Sequence, residues 1–241
     1  SKYPNVRYLD GRGANGVILV TTNKGSKAQK ATITYNGYYG IKDIFAKYPM
    51  MDGPTFVDYR AQAIANGSPW VNSSDEDNTL DTDWQDLVLQ KGMVNSHDLS
   101  IMGGGEKNAY SFSAGYYKET TVVPGQEFSR LSLRGSIDQE IGRFKFGWNT
   151  QNSYGIIEGE SNNPMSNILS LTPITNPYNE DGSIKHILNV GGNNYFNPLE
   201  IEDYGDKWTQ ERKAYATYNA LYGEIKLLEG LRYHINVGLN Y

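Results

Sequence analysis

The chain has 241 residues, with 22 Lys and Arg against 27 Asp and Glu, a net charge of −5 and no cysteine. That balance offers no basic surplus for nucleic acid, and the missing cysteine excludes disulfides, thiolate catalysis and Cys-based zinc sites. No apolar run approaches the roughly 18 residues of a membrane helix, yet 19 tyrosines and four tryptophans leave a membrane barrel open, because alternating strands average to low hydropathy.

The first motif is Gly11, Gly13 and Gly16, which spell G-x-G-x-x-G. A dinucleotide site needs a strand before these glycines and a helix after them. Here the β-branched run Val17–Thr22 follows instead, stopped by Asn23-Lys24-Gly25. The glycines are therefore read as a tight turn into a buried strand.

From residue 31 the pattern is period-2 alternation, the signature of strands with two unlike faces. Ile33, Tyr35, Gly37, Tyr39 and Ile41 share the first apolar face. A short second strand carries Leu99 and Ile101, and a third carries Tyr110, Phe112, Ala114 and Tyr116. Leu131, Leu133 and Ile137 oppose Arg130, Arg134 and Asp138 in the fourth; Phe144, Phe146 and Trp148 oppose Lys145 and Asn149 in the fifth. Leu221, Ile225 and Leu227 form the sixth, and Leu231 through Tyr241 form the seventh, with Arg232, His234 and Asn236 on its other side. Ile33, Tyr35, Phe112, Leu133, Phe146, Ile235 and Val237 are expected to face lipid, and Arg134, Lys145 and Asn236 a polar lumen.

The connections sort by length. Residues 103–107, 141–143 and 228–230 read as tight hairpin links. The others, 42–96, 120–126 and 157–209, alternate with them, so tight turns fall at one end of the sheet and long loops at the other. Outer-membrane barrels have that layout. A soluble carbohydrate-binding β-sandwich also alternates and is the competing architecture. Seven strands with an open edge do not seal in lipid, so the chain is expected to be a piece of a larger polypeptide. In the long loops, Asp52-Gly53-Pro54 starts a helix through Ala65 that stops at Asn66-Gly67, Thr82 or Asp83 caps a short helix bearing Trp84, and Asn163-Pro164 opens another through Leu171.

Chemistry-bearing groups are sparse. Asp75-Glu76-Asp77 with Asp81 and Asp83 lacks the glycine and final Glu of a helix-loop-helix calcium loop, and reads as a solvated loop. Glu158 and Glu160 are the pair a glycan hydrolase would need, with nothing in the sequence fixing their separation. No histidine sits in a nucleophile-like context. Trp70, Trp84, Tyr178, Tyr195 and Trp208 are the candidate ligand-binding side chains, since flat aromatic faces suit sugar rings and peptide side chains alike. Arg130, Arg134, Lys145 and Arg232 are expected to form lumen charge networks with Asp138.

Residues 11–25 resemble the end of the plug domain in SusC/RagA-type TonB-dependent transporters, followed as in that family by a first barrel strand at Thr32–Ile41. Thr82-Asp83-Trp84-Gln85-Asp86, Leu99–Gly104, Tyr110–Tyr116, Phe128–Arg134 and Glu229-Gly230-Leu231 resemble further family segments, in family order. The run Arg7-Tyr8-Leu9-Asp10-Gly11 departs from it. The resemblance implies an all-β fold, part of a 22-stranded antiparallel transmembrane barrel, with residues 1–30 ending the plug and 31–241 supplying the first seven strands. Gly11, Arg12, Gly13, Ala14, Asn15 and Gly16 would be the plug-end motif. It further implies a non-enzymatic role in uptake of oligosaccharides or peptides across the outer membrane, with outer-membrane lipid around the wall. A SusD-like surface lipoprotein would be one partner, and the TonB-ExbB-ExbD complex, acting through an N-terminal part absent here, the other; neither cofactor nor metal is implied.

Overall fold

The computed structural model describes residues 27–159, 164–200 and 210–241. Seven strands form one antiparallel sheet in chain order: β1 Thr32–Lys42, β2 Gly92–Gly103, β3 Asn108–Thr120, β4 Glu127–Ile141, β5 Phe144–Glu158, then β8 Glu211–Leu228 and β9 Leu231–Asn240. The intervening β6 Ile187–Val190 and β7 Asn193–Phe196 make a separate hairpin. Among the described residues, three α-helices lie in the long connections: α1 Gly53–Ala65, α2 Trp84–Val88 and α3 Met165–Ser170.

Register decides which side chains share a face, because residues directly opposite in an antiparallel pair point the same way. Ile33 pairs with Ile101, Ile101 with Phe112 and Phe112 with Gly135. Trp148 pairs with Leu221, and Leu221 with Val237. All the expected lipid-facing residues fall on this one face, and Arg134, Lys145 and Asn236 fall on the other. Ile33, Phe112, Leu133, Phe146 and Val237 are exposed. Among the described residues the only other sheet is the two-stranded hairpin, so the sheet lacks the facing layer a β-sandwich requires, and that architecture is ruled out. An apolar face left bare by the protein is the outer wall of a membrane barrel.

The tight links behave as expected. Gly142 and Gly230 adopt φ of +59° and +85°, a region open to glycine without penalty. At the 103–107 turn the incoming chain hooks on, with Ala28 N–H donating to Gly105 O and Gly104 N–H to Gln29 O, each at 2.9 Å.

One strand is longer than the alternation suggested, and two others carry the ladder past their alternating residues to the bounds expected from the loops. β2 begins at Gly92 and is not short, β5 continues ten residues past Trp148 to Glu158, and β8 begins at Glu211. The first long loop is correspondingly residues 43–91 rather than 42–96, while the second, 159–210, lies within two residues of the expected 157–209. The cause is polar residues on the apolar face. Asn95 and His97 sit there on β2, and Thr150, Asn152, Thr217 and Asn219 on β5 and β8, so alternation fades while the ladder continues.

Candidate functional site

The two long loops fold together into one lobe at a single end of the sheet. Residues 75–82 run beside 172–176, with Asp77 N–H on Ile174 O at 2.8 Å, Thr82 N–H on Pro173 O at 2.7 Å and Asn176 N–H on Asp75 O at 2.7 Å. Trp84 and Val88 of α2, Ile168 and Leu171 of the α3 region and Leu188 and Val190 of β6 form a buried apolar cluster. This cluster, unlike the sheet, is a core in the ordinary sense, and its burial holds the lobe's shape.

Local sequence sets the helices that build it. Asp52 caps α1 by accepting the Thr55 N–H at 2.9 Å, with Pro54 in the first turn; this is the position where a missing N–H costs nothing. A Cβ at Gly53 would sit 2.2 Å from Leu80 O, so only glycine lets α1 start against that backbone. Asp83 caps α2 through the Gln85 and Asp86 N–H groups, both at 3.0 Å. Burial raises the Asp83 carboxyl, but those amides and Lys47 outweigh it and hold it below its ordinary value.

A buried ion pair lies at the heart of the lobe. Arg60 reaches Glu76 through two nitrogens at 3.1 and 3.3 Å, and their side chains are 6% and 0% exposed. Glu76 also accepts Ser73 N–H at 2.8 Å and Thr172 O–H at 3.1 Å. Burial pushes the Glu76 carboxyl up, while the Ser73 amide, Arg60 and Thr172 together pull it below the usual carboxylate range. The Arg60 guanidinium lies 4.6 Å from the Trp70 ring and 5.6 Å from Phe56, a cation–π arrangement.

Beside the cluster is a cavity of about 340 Å³ lined by Met50, Met51, Asp81, Trp84, Ile168 and Pro173, among others. Lys47 and Tyr48, also in its lining, are tied to α2. Gln85 accepts Tyr48 N–H at 2.9 Å and donates to Tyr48 O at 2.8 Å. Lys47 bridges Asp83 and Asp86, which raises its ammonium pKa, the Asp86 bond being the larger cause. Residues 43–91 contain nine acidic and three basic residues, a charge of −6. This exceeds the net charge of the whole chain, so the lobe sets the chain's negative field.

The expected site residues separate here. Trp84 is 4% exposed and donates its indole N–H to Thr172 O at 2.9 Å, so it supports the lobe from within and meets the outside only through the lining of the 340 Å³ cavity. Tyr195 packs against the same cluster. Trp70, 42% exposed, shows part of its ring while holding Arg60, and Tyr178 is exposed at the margin of a second cavity with Leu87 and Pro177. Trp208, Glu160 and Gly11–Gly16 lie outside the described residues. Of the carboxylates at 75–83, Asp77, Asp81 and Asp83 are exposed as a solvated loop requires, while Glu76 is buried and Asp75 binds Lys185 at 2.8 Å and the Asn189 amide at 2.6 Å; Asp81 also holds the Gly53 amide at 2.7 Å and Asp77 the Thr79 amide at 2.9 Å. Among the described residues no three acidic or histidine groups converge on a metal position.

On the lumen face the expected network around Asp138 takes another form. Tyr222 donates its hydroxyl to Asp138, Lys145 stands 5.8 Å from the Tyr222 ring, and Arg232 pairs with Glu224 at 3.5 Å. Arg130 lies over Tyr117 instead. The link is an aromatic hydroxyl, which alternation cannot reveal. Gly147 makes it possible, because a Cβ there would meet Tyr222 at 2.2 Å.

No family model matches the chain. TonB-dependent receptor P3 of Formosa agariphila is 28% identical over 95% of the chain and 23% of its own length. TonB-dependent receptor SusC of Bacteroides thetaiotaomicron is 32% identical over 50% of the chain and 12% of its own length. The chain thus spans about a quarter or less of the curated relatives it matches. In fold, it superposes on the RagAB peptide transporter with a TM-score of 0.74 at 19% identity, covering 95% of this chain and 30% of that one. These relatives are receptors and transporters, not enzymes.

Proposed function

We propose that the chain is a segment of a SusC/RagA-type TonB-dependent outer-membrane receptor, and that it supplies part of the wall and an external lobe for TonB-dependent uptake of oligosaccharides or peptides. In this reading β1 to β5, β8 and β9 are the first seven wall strands. Residues 43–91 and 159–210 are extracellular, and residues 1–30 end the plug. The lobe meets a SusD-like surface lipoprotein, and energy comes from TonB through parts of the receptor beyond this chain. Trp70 and Tyr178 are the ring faces offered to cargo.

One observation carries the proposal. The sheet is apolar on one side and charged on the other, and both long loops condense into a built lobe at the same end. A wall needs the first property, and a cargo-handling rim needs the second, since function concentrates in loops held by a rigid scaffold.

The test replaces residues 160–209 of the full-length receptor by a short Gly-Ser link. Heat-modifiable migration on gels serves as the check that the barrel still forms. The expected result is an intact barrel that no longer co-purifies the lipoprotein or takes up labelled cargo. Unchanged uptake and co-purification would overturn it. Competition by unlabelled glycans against unlabelled peptides then reads the cargo class.

A further inference from the structure

The cavity beside the lobe's core joins two unlike surfaces. Its apolar part combines Ile168, Leu171 and Pro173 with Met50 and Met51. Ile168 and Leu171 are fixed in the buried cluster, whereas the two methionines are about half exposed. Unbranched thioether side chains adapt to guests of different shape. The Gln85 amide holds the Tyr48 backbone in the same lining, so the space is formed before any ligand enters it.

The polar part is anionic. Asp52, Asp81 and Asp83 line the cavity against one cation, Lys47. That cation is already engaged by Asp83 and Asp86. Asp52 accepts the Thr55 amide at 2.9 Å and Asp81 the Gly53 amide at 2.7 Å. Both donors are neutral, so the two exposed carboxylates keep their charge without an ion pair among the described residues. A second cavity of about 420 Å³ repeats the pattern. Asp81 and Asp83 line it as well, together with Asp86 and the apolar Leu80, Leu87 and Pro177.

This pairing of surfaces discriminates between ligand classes. Sugar hydroxyls pressed onto Met50, Met51 and Ile168 would lose water without gaining partners, which is unfavourable. A lysine or arginine side chain has the matching build: a methylene stem that gains by burial and a charged head that stays at the wet edge. Building on the uptake reading above, we propose that this cavity is a subsite for a basic side chain of a peptide cargo. The stem seats on the apolar surface, and Asp52 and Asp81 meet the cation. The charge of −6 over residues 43–91 draws such peptides to the lobe before they dock. The second cavity gives another side chain of the same peptide a like environment.

The test uses the full-length receptor with its co-purifying lipoprotein in detergent. Four synthetic peptides are compared, identical except for Lys, norleucine, Ala or Glu at one central position. Norleucine keeps most of the stem and lacks the charge. Affinities are read by competition against a fluorescent copy of the Lys peptide. Lys is expected to bind about tenfold tighter than norleucine, norleucine about tenfold tighter than Ala, and Glu weakest. Asp52→Asn combined with Asp81→Asn keeps an acceptor for each amide, so α1 still starts. It is expected to erase the Lys-over-norleucine step while norleucine affinity stays within about twofold. Met51→Trp fills the cavity and is expected to weaken Lys and norleucine alike, about tenfold, leaving Ala unchanged. A Lys preference that survives the double Asn variant overturns the proposal, as does a wild-type complex that binds all four peptides equally or none of them. Loss of the lipoprotein from Met51→Trp with peptide affinities unchanged overturns it too, because the cavity then seats that partner. Uptake of labelled glycan and peptide by cells carrying the wild type is read separately. Uptake without the Lys step sinks the subsite alone, whereas absence of all uptake sinks the transport reading with it.

Discussion

Replacing Arg60 by Met tests whether the lobe is a folded unit held by its buried ion pair. Methionine keeps the apolar stem against Phe56 and Trp70 but removes the charge that faces Glu76. Both side chains are nearly inaccessible, so solvent does not take over. Removing one partner of such a pair costs about 3–5 kcal/mol. Glu76 keeps the Ser73 amide and the Thr172 hydroxyl, which places the expectation at the low end, ~3 kcal/mol. Read as local opening, that corresponds to a loss of roughly a hundredfold in hydrogen-exchange protection. The assay is amide exchange on the full-length receptor in detergent, comparing residues 56–64 of α1 with the β3 and β4 amides. The double variant Arg60→Met with Glu76→Gln should recover much of the loss, because the charge left unpaired by the first change is gone. A loss of protection below about threefold in α1 would refute the reasoning. An equal loss in β3 and β4 would refute it too, since the lobe would then not open separately from the wall.

The same pair sets a pH dependence. The Glu76 carboxyl is lowered in the folded lobe, so its contribution is fully present above the ordinary value of 4.5 and lost as the pH falls through the folded value. Acid titration of α1 exchange should show opening below that pH, and in Arg60→Met, where burial outweighs the remaining bonds, the midpoint should move upward. Leu133→Arg should cost about 2–4 kcal/mol by placing a charge in lipid, whereas Arg134→Leu, one residue along but lumen-facing, should assemble nearly normally; heat-modifiability and urea unfolding in vesicles distinguish them, and equal effects would reverse the register. Gly53→Ala should loosen α1, because the added carbon meets Leu80 O at 2.2 Å, and faster exchange confined to α1 is the expected readout. Trp84→Phe should lose the bond to Thr172 O, about 1 kcal/mol, seen as a smaller increase in the same exchange.

Alternation alone was enough to determine the two faces of the wall. Side chains two apart point the same way whatever their neighbours, so Leu133 and Arg134 were separable without coordinates. Caps were equally local: Asp52 and Asp83 sit where the chain itself places free N–H groups, and both helices begin there. What remained hidden depends on pairs distant in sequence. The start of β2 was obscured because Asn95 and His97 look like loop residues until the ladder sets them beside β1 and β3. Glu76 read as part of a solvated loop, Arg60 carried no signal of its own, and Trp84 was a candidate ligand face, because only the meeting of residues 75–84 with 168–190 buries Glu76 and Trp84. The hairpin β6–β7 was missed for a related reason, since Leu188 and Val190 alternate too briefly to stand out until they pack on α2 and α3. Period and caps act within a few residues and are written in the chain; burial is made by the approach of segments about a hundred residues apart, and only the tertiary fold decides it.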